Sequence, residues 1–418
     1  MRPLKKHWKD QLLFTEDKCR RWGARLDKVG VVTGFLVPVG LVLGNVGFEV
    51  MIGLGGGCWI ARLILLRDRS ALQTLKHPMV IAWFVWYMCM VISLLANGPG
   101  SKGWAHDIVF FRYLLFTVSL LDISKRLPVG RYLLYGLATG VGWAALNTLS
   151  AYLIGFDLIG KPLIRYTGKL KEASRIAGMS AYAVPVFLTW GILDQKLSPR
   201  MKTLLIGIGL TAFFQLLQTT IRTGIISAMA GVFFAAVFLV RRRVSTRVAV
   251  GLVFGLIAAV WLFFSYGRMW NLATIYDRVY YWKVTWAMWQ DHPIVGVGIS
   301  SFQDAYKAMA ASGRVGAFAA PDGVVYRLPE QTHAHNIFFM IISCSGLLGL
   351  AAFTGLFTTA VQSIFKNFDG YRVALVSWPV VFLTIGMTGF NIYHSWYQAL
   401  FGFFMVLIGS RWVETDHG

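Results

Sequence analysis

Long apolar runs separated by short polar connections fill most of the chain. They fall at 29–44, 46–66, 77–96, 104–124, 130–155, 176–193, 201–219, 223–240, 247–265, 336–360, 373–390 and 394–412. Most approach the ~20 residues that a helix needs to cross a bilayer. This pattern predicts an all-α polytopic membrane protein with about twelve transmembrane helices. The first run opens only at Val29, after a basic leader too long and too polar for a cleaved signal peptide, so the first span is expected to be retained. One long extramembrane segment, 266–335, interrupts the series and is expected to contain helices of its own. The chain then divides into a basic N-terminus (1–28), spans one to nine (29–265), a loop domain (266–335), spans ten to twelve (336–412) and a tail (413–418).

Composition supports the membrane reading. Of 418 residues, 56% are apolar and 14% charged, against about 25% charged in soluble domains. A net charge of +21 would suggest nucleic acid in a soluble protein. Here the excess of Lys and Arg in cytoplasmic loops accounts for it, so membrane lipids and not nucleic acid are the expected surroundings. With the N-terminus inside, basic residues favour the inner connections over the outer ones by roughly two to one, which puts both termini in the cytoplasm. The four cysteines, Cys19, Cys58, Cys89 and Cys344, show no metal-ligand spacing and predict no structural disulfide.

Some basic residues run against the bias. The short outward segment 156–175 carries Lys161, Arg165, Lys169, Lys171 and Arg175, and Arg222 sits alone in a tight outward turn. The long segment adds Arg268, Arg278, Lys283, Lys307, Arg314 and Arg327. Cations kept on the outside point to an anionic ligand there, with lipid headgroups as the plainer explanation for any single lysine. Arg112 is costly within a span and must face protein or a polar cavity, serving either a ligand or packing.

Two stretches carry candidate chemistry. Trp282, Trp286 and Trp289 form an aromatic stripe at helical spacing on a helix that should end at Asp291-His292-Pro293, before a tight turn at Gly296 and Gly298. Such a stripe suits the membrane interface. Further on, Thr332-His333-Ala334-His335-Asn336 runs straight into an apolar span. His335 is a candidate general base, since imidazole titrates near neutrality, and Asn336 a candidate helix cap. A purely structural histidine pair is the alternative. Zinc is disfavoured because no Glu or Cys ligand stands at zinc-site spacing. Gly53-Leu54-Gly55-Gly56-Gly57 lies inside an apolar span, where it suits close helix packing and not a nucleotide loop. The scattered outer carboxylates offer no glycosidase pair.

Taken in order, these pieces resemble the O-antigen ligase and polymerase superfamily. Ser174-Arg175-Ile176-Ala177-Gly178 is similar to its Arg-x-x-Gly entry into a span, and Thr220-Ile221-Arg222-Thr223-Gly224 to its Ser-Arg-Gly turn, with Ile221 in place of Ser. Arg278 through His292-Pro293-Ile294-Val295-Gly296-Val297-Gly298 resembles its Arg…His-Pro-x-x-Gly-x-Gly stretch. His333-Ala334-His335-Asn336 with Gly346-Leu347-Leu348-Gly349-Leu350 resembles its His-x-His-Asn…Gly-x-x-Gly-Leu segment. The likeness covers about 175–350.

The resemblance implies a GT-C-type glycosyltransferase in the Gram-negative inner membrane, with its active site on the periplasmic face. Such a ligase moves a polysaccharide from undecaprenyl diphosphate to a sugar hydroxyl of lipid A–core, during lipopolysaccharide biosynthesis. It uses no cofactor and no metal, and it is expected to invert the anomeric centre. Arg175, Arg222 and Arg278 would hold the diphosphate and His335 would take the acceptor's proton. His333, Asn336, Lys161 and Lys169 would support them, the two lysines by steering a phosphate-rich acceptor. A polymerase that lengthens the lipid-linked glycan is the close alternative; the absence of Arg-x10-Gly repeats favours the ligase. A protein O-oligosaccharyltransferase ranks third, because those chains usually extend well past the last span. A transporter would gather its polar features near the membrane midplane, where only Arg112 is a candidate.

Overall fold

A computed structural model describes residues 3–158, 160, 170–194, 196–240, 273–319, 323, 325–326, 330–366 and 370–410. The expected ninth span, 247–265, and Lys161, Lys169, Arg165, Arg268 and Arg327 lie outside the described residues.

The protein is a bundle of helices whose apolar residues point both inward and outward. The helices are α1 (Pro3–Leu43), α2 (Asn45–Leu65), α3 (Pro78–Asn97), α4 (Trp104–Ile108), α5 (Phe111–Ile123), α6 (Val129–Ile154), α7 (Leu170–Leu193) and α8 (Pro199–Gln218). They continue with α9 (Arg222–Val240), α10 (Ala273–Asp291), α11 (Phe302–Ala311), α12 (Ile337–Lys366), α13 (Trp378–Thr388) and α14 (Ser395–Gly409). Two short strands, β1 (Phe318–Ala319) and β2 (Val325–Tyr326), pair antiparallel with Phe318 opposite Tyr326.

Among the described residues seven helices are long and apolar enough to cross a membrane: the Lys18–Leu43 part of α1, and α2, α3, α6, α7, α8 and α12. Apolar stretches at Arg222–Phe238, Arg372–Met387 and Ser395–Gly409 are shorter. Exposed Val46, Leu54 and Ile64 on α2, Phe84 and Leu95 on α3, and Leu210 and Phe214 on α8 make a surface suited to lipid tails and not to water. The chain is a multi-pass membrane protein.

Among the described residues the helices do not reach the expected count of about twelve spans. The run 104–124 is broken between α4 and α5, and the 13 residues of α5 reach about 20 Å, short of the ~30 Å hydrocarbon core. Buried Asp107 at the end of α4 draws the chain aside, because its carboxylate accepts from the Ser300 backbone N–H and hydroxyl at 3.3 and 3.1 Å. Helix α1 runs unbroken from Pro3 through the basic leader into the first span.

Helices α7 and α14 occupy the centre. Every residue from Trp396 to Ile408 is buried, as expected of a helix that is apolar all round. Close packing of α2 on α5 uses the glycine run: a side chain at Gly55 or Gly56 would press on Phe116 or Leu115, whereas Gly53 and Gly57 face open space. At the bundle end formed by the α5–α6 turn, Asp27, Arg62, Asp68, Asp122 and Arg126 form a chain of ion pairs at 2.5–2.9 Å. The functional residues gather at the opposite end, where α1 turns into α2 and α8 into α9.

Candidate functional site

One helix break positions the outer segment. Helix α12 kinks at Gly346, whose φ of 62° and ψ of −162° are non-helical. The interrupted backbone groups are taken up by the chain after α10. Val297 N–H donates to Ser343 O at 2.7 Å and Gly298 N–H to Cys344 O at 2.9 Å. In return Leu347 N–H donates to Pro293 O at 2.9 Å and Leu348 N–H to Ile294 O at 3.2 Å. A Cβ at Gly346 would overlap the Ile294 carbonyl and one at Gly296 the Cys344 backbone, and both residues have positive φ. The His-Pro-x-x-Gly-x-Gly and Gly-x-x-Gly-Leu stretches are therefore two halves of one main-chain joint. Helix α10 ends at Asp291, as its sequence predicts.

That joint sets α10 against the mouth of α12. Trp282 stacks on Phe339 at 5.8 Å and donates its indole N–H to Ala334 O at 3.1 Å, pinning the peptide between the two histidines. Trp286 packs on Trp289 at 4.5 Å and on Phe339 at 6.3 Å. Asn336 caps α12: its Oδ1 accepts from Phe338 N–H at 2.9 Å and Phe339 N–H at 3.2 Å, and its Nδ2 donates to Met387 O. It is buried as a cap and does not line the cavity beside it.

His335 has a φ of 52°, a left-handed conformation rare for a residue with a Cβ. Tyr281 stacks on its ring at 5.5 Å. The ring is also hydrogen-bonded to the Gly389 backbone in a way that favours the protonated form, so a ring N–H donates to the carbonyl. In the neutral tautomer the other ring nitrogen keeps its lone pair. The His333 ring lies 4.0 Å from that of His335 and 5.0 Å from that of His394.

These groups line a cavity of about 520 Å³ with Asn45, Ser174, Arg175, Ile221, Thr223, Arg278, Gly389, Phe390, His394, Ser395 and Trp396. Sequence-distant Arg175, Arg278, His333 and His335 thus meet in one place. Arg222 is not among the lining residues; it stands in the chain between two that are, Ile221 and Thr223, and its charge helps to push the Arg278 pKa down, after burial. As the first residue of α9, Arg222 is a cation at the positive end of a helix dipole. The preceding Thr220 is held at a φ of 55°. Among the described residues that line it, none is a carboxylate.

Electrostatics follow from this composition. Burial, then the nearby Arg278, hold the His335 pKa down at about 4. Burial and Lys102 hold His394 at about 4, and burial with the neighbouring histidines lowers His333 further. All three imidazoles are neutral at pH 7, and His335 can accept a proton. The cavity thus sets the guanidinium groups of Arg175 and Arg278 beside three uncharged imidazoles.

Several residues here escape a reading of the sequence. His394 and Trp396 sit in Asn391-Ile392-Tyr393-His394-Ser395-Trp396, a polar and aromatic break between two apolar runs that offered the only signal. Asn45 lies at the α1–α2 turn and carries no charge to stand out. Lys102, in a glycine-rich loop, is felt electrostatically by His333 and His394. Two singled-out residues lie elsewhere. His292 lines a separate groove with Asp291 and Arg314. Arg112 serves packing: its Nε and Nη2 donate to the Glu49 carboxylate at 2.7 and 2.8 Å, and Tyr113 Oη donates to the same carboxylate at 2.9 Å.

Residues 207–354 match the model of the O-antigen ligase family. The match includes Arg222, Arg278, His333 and His335 together with both halves of the main-chain joint. No curated protein matches the chain. The protein therefore carries an O-antigen ligase superfamily region, and Asn45, Arg175, His394 and Trp396 complete its cavity from outside the matched stretch.

Proposed function

We propose that this protein is an O-antigen ligase that transfers a polysaccharide from undecaprenyl diphosphate to a sugar hydroxyl of lipid A–core. In this reading it resides in the Gram-negative inner membrane with both termini in the cytoplasm. Segment 266–335 and the cavity then face the periplasm, and the helical bundle is of the GT-C type. The observation that carries the proposal is the meeting of Arg175, Arg278, His333 and His335 in a cavity with no carboxylate among the described residues that line it.

Glycosyl transfer from a lipid diphosphate develops negative charge on the departing oxygen. Guanidinium groups can grip two phosphate oxygens at once and stabilise that charge without a proton. Arg278 and Arg175 hold the diphosphate, and Arg222 adds its charge from the α9 terminus. The acceptor hydroxyl attacks the anomeric carbon from the face opposite the diphosphate, its oxygen forming the new C–O bond as the old one breaks. The free nitrogen of His335 takes the hydroxyl proton, with the Gly389 carbonyl fixing which nitrogen that is. Inversion follows from the single displacement. Lys161 and Lys169 steer the phosphate-rich acceptor towards the mouth.

The test is reconstitution of purified protein with undecaprenyl diphosphate-linked glycan, with and without lipid A–core. Glycan attached covalently to lipid A–core, at a rate unchanged by a chelator, is the expected result. Glycan lengthened on its own carrier would make the protein a polymerase. Replacing His335 by Ala should slow transfer by roughly 10²–10⁴-fold, with donor binding retained; an unchanged rate would remove it as the base.

A further inference from the structure

We infer that a cleft at the opposite end of the bundle binds the headgroup of an anionic phospholipid, with Arg20 as its phosphate ligand. A second cavity, of about 450 Å³, opens there. Its walls include Arg20 and Ala24 on α1, Arg62 in the last turn of α2, Asp27, Asp68 and Arg126. It lies where two membrane-crossing helices end, since one candidate span begins at Lys18 and the next finishes at Leu65. That is the level of the headgroups.

Charge decides what the cleft can hold. Asp27 accepts from Arg62 Nη1 at 2.8 Å and from Arg126 Nε at 2.9 Å. Asp68 accepts from Arg62 Nη2 at 2.5 Å. Asp122 accepts from Arg126 Nη2 at 2.9 Å, with Lys125 Nζ 3.4 Å away. These three carboxylates balance Arg62, Arg126 and Lys125. Arg20 stands outside that balance: it lines the cavity, is exposed, and has no ion-pair or hydrogen-bond partner among the described residues. Arg67 and Arg69, on the link that follows α2, are exposed as well. The surplus at the cleft is therefore positive, and a guanidinium with a free fork is suited to two oxygens of a phosphate.

The surroundings make that phosphate a lipid's. Trp22, on the same turn of α1 as Arg20, is half exposed, with the Arg25 guanidinium 5.0 Å over its ring. An indole so placed suits the membrane–water interface. Leu65 is 73% exposed beside Leu66, which lines the cavity. The 3₁₀ helix Arg69–Lys76 buries Ala71 and Thr74 while exposing Leu72 and Leu75 between Arg69 and Lys76. Apolar side chains for tails and cations for headgroups thus stand together around the cleft. A soluble anion would use only the cations.

Thermal unfolding of the full-length protein in a neutral detergent, followed by tryptophan fluorescence, tests this. Dioleoylphosphatidylglycerol should raise Tm saturably, whereas dioleoylphosphatidylcholine and inorganic phosphate at the same concentrations should not. Arg20→Gln breaks no contact within the protein and should raise the half-saturating lipid concentration about tenfold. Arg200→Gln removes the same charge from an exposed arginine at the start of α8 and should leave it unchanged. Ala24→Phe, at an exposed position of the cleft wall, fills the space without altering charge and should weaken the lipid effect too.

No shift with phosphatidylglycerol, or an equal shift with phosphatidylcholine, would overturn the inference. So would stabilisation by inorganic phosphate, which would make the cleft a site for soluble anions. An equal loss in Arg200→Gln would reduce the effect to net charge, and wild-type response in Arg20→Gln or Ala24→Phe would remove the cleft from the contact. None of these results bears on the transfer reaction, whose cavity lies at the other end.

Discussion

At the scale of single residues, the candidate base is held at a conformational cost. The left-handed φ of His335 is disfavoured by a Cβ and free for glycine. His335→Gly should therefore unfold at higher temperature than His335→Ala, by a stability difference of about 1 kcal/mol, while both lose transfer. Equal melting in detergent would show that the backbone is not strained. The lowered pKa values make a second prediction. His335 stays neutral down to about pH 4, so kcat/KM should be flat from neutrality to well below pH 6. A free histidine would lose its basic form near pH 6.5. For stability the sign is the reverse of that for a salt-bridged histidine, whose pKa is raised. The unfolded chain protonates its histidines first, so stability is full above about pH 6.5 and falls as the pH is lowered towards 4. A kcat/KM that halves near pH 6.5 would mean that the imidazole is not desolvated as described.

At the scale of elements, the legibility of the chain divides by whether geometry is local. The end of α10 at Asp291, the cap at Asn336 and the turn at Gly296 and Gly298 depend on neighbours in sequence, and each appears where its residues predict. The break in the run 104–124 does not, because the Asp107 partner is Ser300, nearly two hundred positions away. The role of the Trp282 stripe was hidden for the same reason, since Phe339 and the Ala334 carbonyl that it meets belong to another segment. Arg112 was read as needing a polar neighbour, and Glu49, on a different helix, is that neighbour. The joint between the chain after α10 and the kink of α12 is testable. Gly346→Ala must displace the Ile294 carbonyl and adopt an unfavourable φ, and should cost more than about 2 kcal/mol. Gly57→Ala, facing open space in α2, should be neutral or stabilising by up to about 1 kcal/mol. Equal effects in a thermal shift assay would dissolve the joint as an energetic unit.

At the scale of the whole molecule, the bundle separates two kinds of electrostatics. One end ties Asp27, Arg62, Asp122 and Arg126 into mutual pairs, and the other brings Arg175 and Arg278 into one cavity, with no carboxylate among the described residues that line it. The bias of basic residues predicts which end lies outside. Ser312→Cys, exposed beyond α11, should react with a membrane-impermeant maleimide in intact spheroplasts. Cys19, on α1 beside the ion-pair network, should react only after permeabilisation. The opposite pattern would invert the proposed topology. The meeting of Arg175 and Arg278, with the charge of Arg222 felt by Arg278, was not legible, because they come from three separate connections and only tertiary packing says whether such groups meet. The histidine at 394 was invisible to any count of charge.

That none of the described residues lining the cavity is a carboxylate also bears on how a catalytic cycle closes. In a serine protease an aspartate stabilises the imidazolium that forms; here the ring of His335 has a peptide carbonyl behind it and guanidinium charge in front. Under the proposed chemistry the proton it acquires is repelled as soon as the anionic product leaves. Donor diphosphate and base are thus coupled in both directions: the bound anion makes the histidine a better base, and its departure drives the proton off. Resetting the site and releasing the spent lipid carrier become one event, so the glycosylated acceptor should leave first and the carrier last, taking the proton with it.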